Sequence, residues 1–158
     1  MIKYICIIIL TITLSPSTVL SENVPIFDRQ DVTVSYPPEL FLLKDFDRDG
    51  NSDIISANKN GNISFLFGKG DGTFQKEQLL FVGNTINKML AEDFNLDGNI
   101  DILVNRWLLL GDGDGDFIKT KFYIDINDVS ISGDINNDRI PDLIVGNNIF
   151  AGIGDGTF

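Results

Sequence analysis

The chain has 158 residues, enough for about one domain. Its formal net charge is −11, from 12 basic and 23 acidic side chains, and this balance argues against binding nucleic acid or anionic lipid surfaces, which need basic patches. There is no histidine, and the single cysteine, Cys6, lies in the apolar N-terminal run. The sequence therefore offers no disulfide framework and lacks the usual general bases and nucleophiles of catalysis.

The N-terminal segment predicts a secretory signal peptide over residues 1–21. Lys3 supplies a short positive region, and the apolar run over residues 4–14 is too short to span a bilayer with ease. We expect cleavage near Ser21, with an uncleaved membrane anchor as the alternative. The mature domain, residues 22–158, is then expected to be secreted and extracellular, or to lie at the cell surface or in the periplasm.

Three copies of a nine-residue acidic pattern divide the rest of the chain, at residues 45–53, 93–101 and 134–142. Each copy reads Asp-x-(Asp/Asn)-x-Asp, then three residues, then Asp. An apolar run precedes each copy, and a second run, rich in β-branched and large aliphatic residues, follows it directly. These runs favour β-strands on both sides, so each pattern is predicted to be the loop of a hairpin.

A second motif, Gly-Asp-Gly with a phenylalanine two residues later, recurs in phase with the first, at residues 70–74, 113–117 and 154–158. The first Asp of successive loops is 48 and then 41 residues apart, and such self-similarity indicates a repeat architecture. Outer strands are expected over residues 75–81 and 118–124. Four antiparallel strands in each repeat of about 40–50 residues predict an all-β fold, a β-propeller of three four-stranded blades that is partial or incompletely closed. We expect no helix outside the signal peptide.

The combined signature, Asp-x-Asp-x-Asp-Gly-x-x-Asp with an aliphatic run and then Gly-Asp-Gly-Thr-Phe, resembles the FG-GAP/VCBS repeats. These repeats occur in integrin α-subunit propellers and in many secreted bacterial proteins. The resemblance covers essentially the whole mature chain. It implies a blade whose first hairpin carries a Ca²⁺ loop, and a secreted module for adhesion or for recognition of a protein or glycan partner.

Packing three or four carboxylates into nine residues is electrostatically unfavourable unless a cation lies among them. Oxygen ligands at alternate positions suit Ca²⁺, a hard ion that takes about 6–8 oxygens. We expect up to three Ca²⁺ ions, held by side chains at loop positions 1, 3, 5 and 9 and by the backbone carbonyl at position 7. In the first loop these residues are Asp45, Asp47, Asp49 and Asp53, with Asn51 at position 7. In the second loop they are Asp93, Asn95, Asp97 and Asp101, with Asn99 at position 7. In the third loop they are Asp134, Asn136, Asp138 and Asp142, with Ile140 at position 7.

The third loop departs from the pattern, because Arg139 replaces the glycine at position 6, where the sharp turn favours a positive φ. Arg139 also brings a positive charge close to the site, so we expect the third site to be the weakest. At position 2, Phe46, Phe94 and Ile135 are expected to face the core and fix each loop to its sheet. The alternative is a set of Asx turns without metal, but this explains only one or two Asp in each turn.

The start of the repeat region offers an outer strand, and its end lacks one. Residues 27–36 have the position, relative to the next loop, of an outer strand without its own first three strands, and the sequence stops at Phe158, where another outer strand would start. The N-terminal strand is therefore a candidate to complete the last blade. Three blades do not close a propeller, which typically has about four to eight. A truncated or partial propeller is favoured, and the alternatives are a homo-oligomer, for example two chains giving six blades, and an open array.

A binding module with structural Ca²⁺ is the expected function. Most aspartates are assigned to the loops, and Glu39, Glu77 and Glu92 belong to no motif, so we expect no enzymatic activity from this chain. The alternatives are an accessory or truncated part of a polysaccharide-active enzyme, and a non-functional remnant of a longer gene.

Overall fold

The computed structural model describes residues 4–8, 30–83, 85–126 and 129–158. The chain divides into two compact units, residues 1–37 and residues 38–158. In the first unit, β1 (Tyr4–Ile8) pairs antiparallel with β2 (Gln30–Val34). Most of the predicted signal peptide lies outside the described residues, and its described part, β1, is an extended strand. The strand predicted within residues 27–36 is present as β2, which pairs with β1. Its expected part in completing the last blade stays a prediction.

The second unit consists of three antiparallel sheets, in each of which the strands follow chain order. The first sheet contains β3 (Leu40–Lys44), β4 (Asp53–Ala57), β5 (Asn62–Leu66) and β6 (Gln78–Phe81). The second contains β7 (Met89–Glu92), β8 (Asp101–Val104), β9 (Trp107–Gly111) and β10 (Phe117–Lys121). The third contains β11 (Ser130–Gly133), β12 (Asp142–Val145) and β13 (Asn148–Phe150).

These sheets confirm the prediction of an all-β, incompletely closed propeller, with each sheet as one blade. Among the described residues there is no helix, and hence none long and apolar enough to cross a bilayer. In the part of the chain that the structure describes, the third blade has three strands, so the prediction of four strands in every blade is wrong there. In the first two blades the outer strand follows the Gly-Asp-Gly turn.

The hydrophobic core lies between consecutive blades. A first cluster joins Ile55 and Phe65 of the first blade to Ile102 and Leu109 of the second. A second cluster joins the opposite face of the second blade to the third, as in the packing of Leu103 with Leu143 and Val145. The second blade is thus covered on both sides, and every residue of β8 is buried. Because burying one large aliphatic side chain contributes about 1.5–3 kcal/mol, blade-to-blade packing is the main apolar stabilisation of this unit.

The inner strands of neighbouring blades are also joined by polar contacts. Lys44 Nζ, at the end of β3, donates a hydrogen bond of 2.6 Å to the carbonyl oxygen of Ala91 in β7. The same ammonium lies 3.3 Å from a carboxylate oxygen of Glu92. Both side chains are partly exposed, so this ion pair adds at most about 1 kcal/mol. It fixes the ends of the two strands from which the first and second aspartate loops begin.

Candidate metal centre

The three aspartate loops connect the first two strands of each blade, between β3 and β4, β7 and β8, and β11 and β12. Each loop turns through two residues with positive φ, at positions 4 and 6. Position 4 is occupied by Arg48 (57°), Leu96 (58°) and Asn137 (64°), none of which is glycine. Position 6 is occupied by Gly50 (86°), Gly98 (88°) and Arg139 (71°). The same backbone path is therefore formed three times, and in the third loop an L-residue takes the conformation that favours glycine.

A shared set of hydrogen bonds holds this path in all three loops. The carboxylate at position 1 accepts a bond from the backbone N–H at position 6, at 3.0 Å in the first loop and 2.9 Å in the second and third. The carboxylate at position 5 accepts a bond of 2.8 Å from the N–H at position 7 in every loop. These bonds satisfy backbone donors that a tight loop would otherwise leave unpaired, and they orient the odd-numbered side chains towards one another.

The aspartate at position 9 is buried in each loop, and its two oxygens accept hydrogen bonds from two separate segments. One oxygen accepts from the backbone N–H at position 2, at 2.7, 2.9 and 3.0 Å in the three loops. The other accepts from the N–H of a glycine at or just beyond the end of the blade's third strand, at 2.8, 3.0 and 2.8 Å. Asp53, Asp101 and Asp142 are 0, 0 and 1% exposed. Position 9 therefore ties the loop to its own sheet.

The first loop brings three carboxylates together. Ligand oxygens of Asp45, Asp47 and Asp49 all lie within 4.8 Å of one another. One oxygen of Asp45, Oδ1, is buried and has no hydrogen-bond partner among the described residues, although most buried polar atoms in proteins have one. A divalent cation would supply the missing partner and neutralise the three charges. The residues present in the first loop therefore fit a hard cation such as Ca²⁺, which takes carboxylate and carbonyl oxygens.

The comparisons with known proteins agree with this repeated loop. Residues 45–104 match the model of the FG-GAP-like repeat family. That segment is an FG-GAP-like repeat. It begins at the first aspartate of the first loop and ends with β8, so it includes two aspartate loops and the first Gly-Asp-Gly turn. The comparisons with curated proteins and with solved structures found no match.

The second loop lies within the FG-GAP-like segment and the third lies beyond it, yet the two are arranged alike. At position 3 both have an asparagine, and its amide donates to the aspartate at position 5: Asn95 to Asp97 at 2.9 Å, and Asn136 to Asp138 at 2.8 Å. In the described residues neither loop forms a group of three carboxylates like that of the first. The reason is that position 3 carries an amide, whose oxygen is still a suitable Ca²⁺ ligand. The predicted ligands of these two loops stay predictions.

Burial raises the pKa values of several carboxylates in the two loops of the FG-GAP-like segment, and a bound cation would lower these pKa values. Burial raises the pKa of Asp101 to about 6, and burial also raises the pKa values of Asp47 and Asp53. By contrast, hydrogen bonds from Asn51 lower the pKa of Asp49. Burial tends to raise the pKa of Asp97, but hydrogen bonds, first from Asn99, outweigh it and leave that pKa lowered. Without a cation, the buried carboxylates are therefore costly to ionise.

The third blade differs in the environment of its aspartate at position 9. Hydrogen bonds from Gly152 and Ile135 lower the pKa of Asp142, and they outweigh the effect of burial.

The side chain at position 2 also differs in burial between the blades. Phe46 and Phe94 are 1 and 2% exposed, which confirms the prediction that they face the core. Ile135 is 43% exposed, so the prediction is wrong there, because no further sheet among the described residues covers that side of the third blade.

Three glycines complete the loops and were not predicted as site residues: Gly68, Gly111 and Gly152. Each donates the hydrogen bond to the aspartate at position 9 described above. A β-carbon on any of them would lie 2.3–2.5 Å from the backbone oxygen of the residue at position 8. Only glycine allows this close approach. The signal was present in the sequence, because each glycine stands two residues before a Gly-Asp-Gly turn and makes it Gly-x-Gly-Asp-Gly.

The residues at position 7 link each loop to the Gly-Asp-Gly turn. A β-carbon on Gly70 would lie 2.4 Å from Oδ1 of Asn51, and one on Gly113 would lie 2.5 Å from Oδ1 of Asn99. Ile140 contacts the equivalent glycine of the third turn, with its Cδ1 3.6 Å from a β-carbon built on Gly154. The two motifs recur in phase because they are in contact. The expected coordination by the carbonyl oxygens of position 7 stays a prediction.

Proposed function

We propose that this chain is a secreted, calcium-binding β-propeller module that recognises a protein or glycan partner, and that its Ca²⁺ ions are structural. The observation that carries the calcium proposal is the buried, unpartnered Oδ1 of Asp45 within a group of three carboxylates. An isolated Asx turn would not explain this atom, since Asx turns use side-chain oxygens to accept backbone hydrogen bonds. A cation explains it directly.

The proposed role of the metal is to hold the hairpins that link the inner strands of the blades. Ten of the 23 acidic side chains lie in the three loops, so bound Ca²⁺ would remove much of the repulsion within an acidic chain. Position 9 would act mainly through its two backbone hydrogen bonds. Positions 1, 3 and 5 would supply the side-chain oxygens. We propose no catalytic step for this chain.

Thermal unfolding of the chain in Ca²⁺ and in a chelator tests the calcium proposal. A ligand that binds only the folded state at 100 times its Kd adds about 2.7 kcal/mol per site, so we expect Tm to rise by several degrees in Ca²⁺ and to fall again with chelator. Asp45→Asn should lose part of this rise. In chelator the same variant should be at least as stable as the wild type, because it removes one of three repelling charges and its amide oxygen can still accept from Gly50.

Asp116→Asn is the matched control for Asp45→Asn. Asp116 is exposed and lies outside the three aspartate loops, and its substitution removes the same charge. We expect the control to keep the full calcium-dependent rise in Tm. A Tm that is the same in Ca²⁺ and in chelator would refute the calcium proposal. If both variants lost the calcium-dependent rise in Tm to the same extent, the rise would depend on the net charge of the chain and not on a site at Asp45.

The recognition role needs a separate experiment, since it can fail while calcium binding holds. Screening the chain against a glycan array and a panel of extracellular proteins, in Ca²⁺ and in chelator, should give a partner whose binding is lost in chelator. Binding that is equal in both conditions would separate recognition from the calcium loops. N-terminal sequencing of the exported protein should give a chain that starts close to residue 22, and a retained N-terminus would contradict the predicted signal peptide.

A further inference from the structure

The first two aspartate loops are joined by an arginine of the first loop. Arg48, at position 4, donates a hydrogen bond of 3.2 Å from Nη1 to Oδ1 of Asn99, at position 7 of the second loop. The two residues lie 51 positions apart in the sequence and belong to different blades. A side chain of the first blade therefore contacts the aspartate loop of the second blade.

The second blade also determines where the Arg48 side chain lies. A β-carbon built on Gly113, in the Gly-Asp-Gly turn of that blade, would lie 3.0 Å from Cδ of Arg48 and 2.5 Å from Oδ1 of Asn99. The turn, the arginine and the asparagine therefore meet at one place, where the missing β-carbon of glycine leaves room for them. Since contact with the turn restricts the arginine side chain, this hydrogen bond costs less additional conformational entropy than one made by a freely moving surface arginine.

Both partners of this hydrogen bond stand next to proposed calcium ligands. Arg48 lies between Asp47 and Asp49, at positions 3 and 5 of the first loop. Its φ of 57° is costly for an L-residue and follows from the path of the loop. Asn99 carries the backbone carbonyl expected as a ligand in the second loop, and its own N–H donates to Asp97 at 2.8 Å. The bond therefore joins the proposed ligand set of one loop to that of the next.

A second polar contact joins the same two loops where they begin. Lys44 directly precedes Asp45, and Glu92 directly precedes Asp93. The Lys44 ammonium lies 3.3 Å from a carboxylate oxygen of Glu92. Neither of these two residues belongs to a proposed ligand set, so we expect their ion pair to hold the loop ends together with or without metal. Of the two links, the one made by Arg48 is therefore the one that responds to a bound ion.

The corresponding contact between the second and third blades is apolar. Position 4 of the second loop is Leu96, which has nearly the same φ as Arg48, 58°. Its Cδ1 lies 2.9 Å, and Cδ1 of Ile140 lies 3.6 Å, from a β-carbon built on Gly154. Packing of one blade on the next therefore does not require a charge at position 4. Leucine is also a residue that this backbone conformation accepts, which makes it a suitable replacement for Arg48.

We propose that Arg48 is a positioning residue of the second calcium site and couples this site to the first; the inference rests on the calcium binding proposed above. A Ca²⁺ ion held by Asp47 and Asp49 restricts the backbone of Arg48 between them. Arg48 in turn holds Asn99 at position 7 of the second loop. Because the coupling of two binding equilibria is reciprocal, Ca²⁺ in either loop tightens binding in the other by the same factor.

Electrostatics alone predicts the opposite effect, so the sign of the coupling is informative. With Ca²⁺ bound, the four carboxylates of the first loop and one divalent ion give a formal charge of −2. In Asp45→Asn without the ion, the three remaining carboxylates give −3. Through charge alone, the second loop would bind Ca²⁺ more tightly beside the variant loop. Coupling through Arg48 predicts weaker binding there.

A Ca²⁺ titration of the ¹⁵N-labelled chain, followed by NMR, tests the coupling. The amides of Gly50 and Gly98 each donate to the position 1 carboxylate of their own loop, so their signals report the two sites separately. Asp45→Asn should raise the Kd measured at Gly98 by about fivefold or more. In an Arg48→Leu background, Asp45→Asn should leave this Kd unchanged or lower it, because only the charge effect remains.

Arg106→Leu is the matched control. Arg106 is exposed and lies at the opposite end of β8 from the second loop, and its replacement removes the same charge. In this background Asp45→Asn should raise the Kd at Gly98 as it does in the wild type. Loss of the effect in Arg106→Leu would assign it to net charge and overturn the proposal.

Two further outcomes would refute the coupling while calcium binding holds. One is a Kd at Gly98 that Asp45→Asn does not raise in the wild-type background, even if Arg48→Leu weakens the second site, since Arg48 would then have a structural role only. The other is an effect of Asp45→Asn that is as large in Arg48→Leu as in the wild type. If neither glycine signal responded to Ca²⁺, the calcium proposal itself would fail, and the coupling with it.

Discussion

At the residue scale, the aspartates of one loop have different tasks. Position 9 is buried and uses both oxygens to accept backbone hydrogen bonds, as in Asp53 with Phe46 and Gly68. Position 1 accepts a backbone hydrogen bond, and the other oxygen of Asp45 is buried without a partner in the described part of the chain. We therefore expect substitution at position 9 to remove part of the framework with or without metal, and substitution at position 1 to act mainly through the proposed Ca²⁺ ion.

Arg139 is the residue whose replacement should stabilise the protein. Its φ of 71° is strained for an L-residue, and relief of this strain by Arg139→Gly is worth about 1 kcal/mol, part of which is offset by the greater freedom of glycine in the unfolded chain. We therefore expect a small rise in the urea midpoint, together with tighter Ca²⁺ binding at the third loop, because a positive charge near the site is removed.

Arg139→Ala separates the two causes, because it removes the charge but keeps the β-carbon at positive φ. It should tighten Ca²⁺ binding at the third loop without raising the urea midpoint in chelator. If both variants raised the midpoint in chelator equally, backbone strain at position 6 would not be the cause. If neither changed the third site, the charge of Arg139 would have no influence on it.

At the scale of elements, each blade depends on a close approach between its third strand and the residue at position 8 of its loop. Gly111→Ala places a β-carbon 2.5 Å from the carbonyl oxygen of Ile100, so one backbone segment must move. The shift also disturbs the hydrogen bond from Gly111 to Asp101. We expect a loss of about 1–3 kcal/mol in the free energy of unfolding, the usual cost of overpacking a buried site, measured in urea with chelator present.

Gly133→Ala is the control for this substitution. Gly133 ends β11, has no positive φ, and a β-carbon there would meet no atom within 4 Å. Its free energy of unfolding should change by no more than about 0.5–1 kcal/mol, with stabilisation expected because alanine restricts the unfolded chain. If the two variants were equally destabilised, the flexibility of glycine, and not the close approach of the two backbone segments, would explain why a glycine recurs at this position in each blade.

The strands and hairpins could be predicted from the sequence because their signals are local. The aspartate pattern, the aliphatic run after it and the Gly-Asp-Gly turn all fall within one blade, and each predicted hairpin is present. The hydrogen bonds of position 9 were not predicted, because the repeated Gly-x-Gly-Asp-Gly pattern does not by itself show which residue the first glycine contacts 10 to 15 positions earlier in the chain. The exposure of Ile135 was missed for a similar reason, since its burial depends on a neighbouring blade.

At the scale of the whole molecule, the blades have the same internal design but different surroundings. The second blade is packed on both faces, whereas the third has one open face and no outer strand among the described residues. The environment of Asp101 and Asp142 follows this order, because burial raises the pKa of the first and hydrogen bonds lower that of the second. The surroundings of a blade, as well as its loop sequence, therefore affect how easily the carboxylate at position 9 ionises.

Calcium binding is the claim on which the account depends, and isothermal titration calorimetry of the metal-free chain with Ca²⁺ measures it directly. We predict three sites per chain, two tighter and one weaker, with one tight site lost in Asp45→Asn and the weak site strengthened in Arg139→Gly. Absence of any bound Ca²⁺ at millimolar concentration, in a chain that is folded by circular dichroism, would contradict the account.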